Sequence, residues 1–316
     1  MTGTVPEPLR RAHRLVPGDR VAVVAPSGPV PRERLDAGLD ILRGWGLDPV
    51  VAPHVLDRHP GLDYLAGADQ DRARDLQQAW CDPSVAAVLC ARGGYGVQRM
   101  VDLLDWNAMR AVEPKAFIGY SDITVLHEAF ATRLGLATVH GPMAAAATFL
   151  KDDPTQDHLR RTLMEPRTVQ VLSSPAARTM VPGRARGRTL GGTVCLLAAE
   201  LGTPGARPGA AGGILLLEDT GEEPYRLDRY LTQLLRSGWL DGVAGIVLGS
   251  WAECGPYETL RPLLLDRLGD LGVPVVEELG FGHCDSAITV PLGLPAVLDA
   301  DARTLTIEVP ALLTDR

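Results

Sequence analysis

Residues 115–128 read KAFIGYSDITVLHE, and the way this stretch folds sets the architecture around it. A short apolar run, Ala116, Phe117 and Ile118, passes through Gly119 to Ser121, and a helical pattern begins at once. That order predicts a strand turning sharply into a helix with a serine held at the turn. Gly119 has no Cβ to crowd the turn. The Ser121 hydroxyl can therefore stand clear of the sheet while the unpaired N–H groups of the following helix point past it. The usual serine-hydrolase elbow is G-x-S-x-G, and here the place of its second glycine is taken by Ile123. On these residues alone, a serine ahead of a helix is ordinarily an N-cap.

Working outward, residues 20–26 (RVAVVAP) form an apolar run ended by Pro26, Ser27 and Gly28, the pattern of a buried strand and its loop. Leu35, Leu39, Ile41, Leu42 and Trp45 approximate helical spacing, with Gly46 as the stop. A second strand over 49–52, a helix over 66–80 and a third strand over 85–91 (VAAVLCA) continue the alternation. Buried strands alternating with helices predict an α/β fold: an N-terminal doubly wound, mainly parallel sheet with helices on both faces. The third strand runs into Arg92, Gly93, Gly94, Tyr95 and Gly96. Ligands gather at the carboxyl ends of such strands, so this GGYG loop and Ser121 are expected on one rim. The loop lacks the G-x-G-x-x-G spacing and a Walker lysine, and its N–H groups suit an oxyanion equally well.

Residues 166–190 change character, with prolines at 166, 175 and 182 and a basic stretch containing Arg184, Arg186 and Arg188. We read them as an interdomain linker whose arginines are solvated, the sharper alternative being an anion contact at the domain cleft. The expected domains are thus 1–165 and 191–316, the second a mixed α/β domain. Its clearest element is a helix over 225–238 that buries Leu227, Tyr230, Leu231, Leu234 and Leu235.

Composition narrows the function. The 316 residues are 46 % hydrophobic and 22 % charged, as in an ordinary globular protein. A formal charge of -8 disfavours general binding of nucleic acid, which requires Lys and Arg to neutralise phosphates. No apolar run resembles a signal segment or reaches the length of a membrane span. Five scattered cysteines with no C-x-x-C pair predict neither a zinc site nor a disulfide framework. A reduced, cytoplasmic protein without membrane association is expected.

A serine nucleophile needs a base, usually a histidine oriented by a carboxylate. His127 is nearest, but six helical residues rotate it about 120° and carry it about 9 Å from Ser121, on a stripe that reads as core. His140, in the strand beside the elbow, and His283, after Gly280, Phe281 and Gly282, both remain candidates. Glu218 ends the apolar run ILLL, where a charge must leave the sheet or be paired. Asp219 beside it must face the other way. A triad of Ser121, His283 and Glu218 is one arrangement these residues leave open.

The blocks ARGGYG (91–96), IGYSD (118–122), HGPM (140–143), LGGTVCLLAAELGT (190–203), LEDTGEEPYRLDRYLTQL (217–234) and GFGH (280–283), preceded by VAVVAPSGP (21–29), resemble the LD-carboxypeptidases of serine peptidase family S66. They follow the family's order over most of the chain. The resemblance implies a nucleophile at Ser121, with Glu218 and His283 supplied by the C-terminal domain. It also implies an oxyanion hole from the loop near Gly94 and the Asp122 N–H. The missing second elbow glycine is normal in this family. Thr193 is a departure, since many members carry Asn, and it lies outside the triad positions.

The implied activity is removal of the terminal D-alanine from cytoplasmic murein tetrapeptides during wall recycling, without metal or cofactor. The implied assembly is a homodimer. Arg92, Arg99, Arg184, Arg186 and Arg188 are candidates for the cation that meets the substrate carboxylate. Microcin C immunity hydrolases of peptidyl or aminoacyl nucleotides share the resemblance. From another class, a non-catalytic two-domain module that closes on an anionic ligand is the competing expectation.

Overall fold

The computed structural model describes residues 7–315; the first six residues of the stretch searched for a signal segment lie outside it. The N-terminal half builds β1 (Arg20–Val24), α1 (Arg32–Gly44), β2 (Asp48–Val51), α2 (Asp69–Cys81), β3 (Val85–Cys90), α3 (Val97–Met100), α4 (Trp106–Arg110), β4 (Ala116–Gly119), α5 (Thr124–Ala129), β5 (Thr138–His140), α6 (Ala147–Lys151) and α7 (Asp153–Met164). Neighbouring strands from β1 to β5 pair in parallel in the order β2-β1-β3-β4-β5. The strand order reverses at β1, and the crevice there opens between the loops that follow β1 and β3. β4 is buried along its whole length, and Phe117 stacks on Phe130 at 4.4 Å. The expected doubly wound sheet is present.

The rest of the chain adds β6 (Val171–Leu172), β7 (Arg178–Val181), β8 (Arg184–Thr193), α8 (Val194–Ala199), β9 (Gly213–Thr220), α9 (Pro224–Arg236), β10 (Gly245–Ala252), α10 (Tyr257–Leu268), β11 (Val275–Glu277), β12 (Val290–Leu292), β13 (Pro295–Asp299) and β14 (Thr304–Ile307). A mixed sheet runs β6-β14-β13-β8-β9-β10-β11-β7, with β8 to β11 parallel. On α9, Leu227, Leu231 and Leu234 are fully buried while Tyr230 and Leu235 pack at the edge. Among the described residues, no helix is long and apolar enough to cross a membrane.

The expected linker is corrected. Within 166–190, Val171–Leu172 form β6, Arg178–Val181 form β7 and the chain from Arg184 onward forms β8, so just over half of the stretch belongs to the second sheet, β8 near its centre and β6 and β7 at its two edges. The arginines that suggested a solvated crossing alternate with Ala185 and Gly187, the period of a strand. Arg186 pairs with Glu308 at 2.7 Å, and Arg184 lies 4.0 Å from Asp299 on β13. The C-terminal part also reaches back: β12 adds antiparallel to β5 at the edge of the first sheet.

Candidate active site

Ser121 follows the buried end of β4 with φ = +66°, a left-handed conformation that costs a non-glycine residue about 1–3 kcal/mol. The N-cap position of the turn that follows belongs to Tyr120 and that of α5 to Ile123, so the N-cap expectation for Ser121 does not hold. Strain of this kind is retained where the surroundings fix it, and here they do. Ile123, in place of an elbow glycine, crowds Gly119 so closely that a Cβ there would sit 2.9 Å from its side chain. His127 bonds the Gly119 carbonyl through Nε2 and Thr138 Oγ1 through Nδ1, both at 2.8 Å. Burial lowers its pKa to about 3, making it a neutral brace within the core.

The GGYG loop folds over the serine. A Cβ on Gly93 would lie 2.9 Å from Ser121 Cβ and 3.1 Å from its Oγ. The next residue, Gly94, takes φ = +114°, and its N–H meets no acceptor among the described residues. Asp122 opens the helical turn behind the serine, where amides lack an intrahelical acceptor. Its carboxylate, which sequence reasoning gave no role, accepts the Val97 N–H at 2.9 Å and ties the end of the loop to the elbow. Burial raises this carboxyl to about 6.

Glu218, on β9, is fully buried and lies 2.6 Å from His283 Nδ1 through Oε2. Burial opposes ionisation of the Glu218 carboxyl, but the His283 charge and hydrogen bond outweigh it and hold the pKa below the ordinary value. For His283, burial opposes the charged form, and Glu218 more than compensates, raising the pKa. An ionised Glu218 accepts a hydrogen bond from Nδ1–H, which keeps that proton on Nδ1 and leaves His283 Nε2 free to accept one. Thr193 stands beside Glu218 in the β8–β9 register and donates to its Oε1 at 2.5 Å. The departure that lay outside the triad positions thus touches Glu218 directly. Gly282 takes φ = +94°, and a Cβ there would fall 2.5 Å from Glu218 Oε2. Gly282→Ala is expected to lose about 2 kcal/mol of stability and at least tenfold in turnover. Thermal unfolding and activity measured side by side check this, and retention of both would refute it.

Ser121 and His283 line one cavity of about 610 Å³ with Arg34, Arg92, Gly93, Gly94 and Glu253. No hydrogen bond joins Ser121 to His283; such contacts commonly tighten when substrate binds. Cys284 lines the cavity too, but burial raises its thiol to about 11, which leaves it protonated at neutral pH. His140 is away from the cavity wall, buried against Tyr120 and Phe281, with its pKa lowered to about 4 by burial. It stays uncharged.

Of the candidate cations, Arg92 lines the cavity, while Arg99 is paired with Asp69 and the 184–188 arginines face other partners. Arg34, on the first turn of α1, was not singled out by sequence and joins Arg92. Cys195, Asp219 and Glu222 bring three potential metal ligands within 4.8 Å. They are already partly satisfied, since Asp219 accepts the Cys195 and Thr220 N–H groups.

Residues 21–141 match the LD-carboxypeptidase N-terminal domain and residues 186–298 the LD-carboxypeptidase C-terminal domain. A Streptomyces coelicolor protein bearing a carboxypeptidase name is 73 % identical, with 96 % of this chain and 98 % of the relative covered. The murein tetrapeptide carboxypeptidase of Pseudomonas aeruginosa is 34 % identical over 89 % of this chain and 94 % of its own. The solved structure of an MccF-like protein from Bacillus anthracis superposes with a TM-score of 0.83 at 25 % identity, covering 94 % of this chain and 98 % of that one.

Proposed function

The chain belongs to the LD-carboxypeptidase family, peptidase S66, and is a carboxypeptidase; from that premise we propose that it removes the terminal D-alanine of murein tetrapeptides by a Ser121–His283–Glu218 mechanism. The observation that carries this reading is one cavity lined by a strained serine, a carboxylate-held histidine and two arginines.

His283 Nε2 accepts the Ser121 proton as the hydroxyl attacks the scissile carbonyl. The Gly94 and Asp122 N–H groups stabilise the tetrahedral oxyanion, an effect for which one donor is commonly worth about 3 kcal/mol. His283 then protonates the leaving amine, and water enters by the same route in reverse to free the acyl group. Arg34 and Arg92 hold the free carboxylate that distinguishes a terminal residue from an internal one. Cytoplasmic recycling of wall peptides and a homodimeric assembly are part of the same reading.

Mass spectrometry of the protein incubated with L-Ala-γ-D-Glu-meso-diaminopimelate-D-Ala tests it. Loss of a single D-alanine with the parent, and none with Ser121→Ala, is the expected result. If neither protein cuts, the murein assignment falls and peptidyl nucleotides become the next substrates. Against that second reading, among the described residues only Tyr120 brings a phenyl or indole ring to the cavity lining, which gives a base little to stack on.

Arg34→Gln and Arg92→Gln are each expected to raise KM about tenfold, the value of one charge-assisted hydrogen bond at a solvated site. Steady-state kinetics on the tetrapeptide and its C-terminal amide check the assignment. The amide should weaken binding to the parent and cost the variants less. An equal amide penalty in all three proteins would remove both arginines from carboxylate recognition.

A further inference from the structure

Arg72, on α2, is 2 % exposed and does not line the cavity, yet its guanidinium joins the loop after β1 to the loop after β3. Nη1 donates to the Pro26 carbonyl and, at 2.9 Å, to the Gly96 carbonyl, while Nη2 bonds Asp69. Asp69 is held in turn by Arg99 at 2.9 Å. Gly96 makes the room: at φ = +138°, a Cβ there would fall 2.6 Å from Arg72 Nη1. A buried guanidinium is costly to desolvate, and Nε finds no acceptor among the described residues. Filling the space alone would be served as well by an apolar side chain, so the charge answers to what its fork holds.

The bonds close a circuit around Gly94. On one side, the Gly28 N–H donates to the Gly93 carbonyl at 3.1 Å. On the other, Arg72 joins Pro26 to Gly96. Val97, next in the chain, donates to the Asp122 carboxylate at 2.9 Å and ties the circuit to the elbow. Gly94 at φ = +114° has no side chain to fix it, so the aim of its N–H depends on its neighbours. Resting on the serine mechanism above, we propose that Arg72 is a positioning residue, which clamps Pro26 to Gly96 and so aims the Gly94 N–H at the oxyanion. It touches neither substrate nor reacting atoms. A donor displaced by about 1 Å costs about 100-fold at the transition state. Ground-state binding is spared, because Arg92 has its own anchor on the Pro29 carbonyl at 2.9 Å.

The test measures D-alanine release from the tetrapeptide by the parent, Arg72→Met and Arg72→Lys, with inhibition by two analogues. One is the tripeptide product. The other carries a boronic acid in place of that product's terminal carboxyl. Ser121 Oγ adds to the boron, the Ser121 proton passes to His283, and the tetrahedral boronate anion places an oxygen in the oxyanion hole. In Arg72→Met, kcat should fall about 10- to 100-fold while KM stays within about twofold. The Ki of the boronate should rise by the factor that kcat/KM loses, and the Ki of the tripeptide should not move. Arg72→Lys keeps a charge beside Asp69, but an ammonium lacks the planar fork that spans both carbonyls. It should show the same split.

Parent-like kcat in the folded variants overturns this inference and leaves the carboxypeptidase reading standing. Equal weakening of the boronate and the tripeptide also overturns it, because a general distortion of the site behaves that way. Should Arg72→Met not fold, Arg72→Lys decides by the same two readings. No release of D-alanine by the parent overturns the inference together with the reading it rests on.

Discussion

Ser121→Gly is expected to be inactive and more heat-stable than the parent. The loss of activity follows from chemistry: without the hydroxyl there is no acyl-enzyme, and removal of a serine nucleophile ordinarily costs about 100,000-fold or more in kcat. The gain in stability follows from the backbone. At φ = +66° a side chain is strained by about 1–3 kcal/mol, whereas glycine is not. Part of that gain is offset because glycine frees the unfolded chain. A net rise of about 1 kcal/mol, roughly 2–3 °C in Tm, remains. Ser121→Ala should be equally inactive but no more stable, because alanine keeps the strain. Calorimetry on the three proteins separates the effects. If glycine proves less stable than alanine, the elbow strain is not stored at this residue.

The strand, the turn and the helix of this elbow were legible because their signals are local: an apolar run, a glycine and helical spacing over adjacent residues. The same holds for the parallel sheet up to β5 and for α9. The 166–190 region was misread because prolines and arginines resemble a linker in composition, whereas the period-two alternation from Arg184 to Arg188 was the informative signal. Arg34 gave no local sign at all. It sits on an exposed helical turn, and only the approach of α1 to the crevice beside β3 brings it to Ser121. The Thr193–Glu218 bond depends on the register of β8 against β9, which neither strand specifies by itself. His140 shows the converse: its place beside the elbow strand suggested access, and the aromatic rings of Tyr120 and Phe281 that enclose it come from elsewhere in the chain.

Glu218→Gln is the second large effect, and its pH dependence is the sharper part. The base must be neutral to accept the Ser121 proton, so kcat/KM should rise with pH through the pKa of His283. Burial works to lower that pKa, and Glu218, followed by the more distant Asp219 and Glu253, raises it above the ordinary 6.5. The acid limb of the parent should therefore lie above pH 6.5. Glutamine removes the largest of the raising charges and leaves burial in place, so the limb should move to lower pH. Neutral His283 will then be more abundant at pH 6, yet the enzyme should be slower at every pH. Glutamine can donate to Nδ1 as readily as accept from it, and when it donates, the proton sits on Nε2 and faces the serine. In the trypsin-like triad such a swap costs about 10,000-fold, and a similar loss is expected here. Thr193→Val supplies the contrast: it leaves the carboxylate and its charge but removes one of its hydrogen bonds, so a loss of about tenfold with little movement of the limb is expected. A Glu218→Gln profile whose limb stays in place would mean that Glu218 does not set the protonation of His283, and the orienting carboxylate would have to be sought elsewhere on the cavity wall.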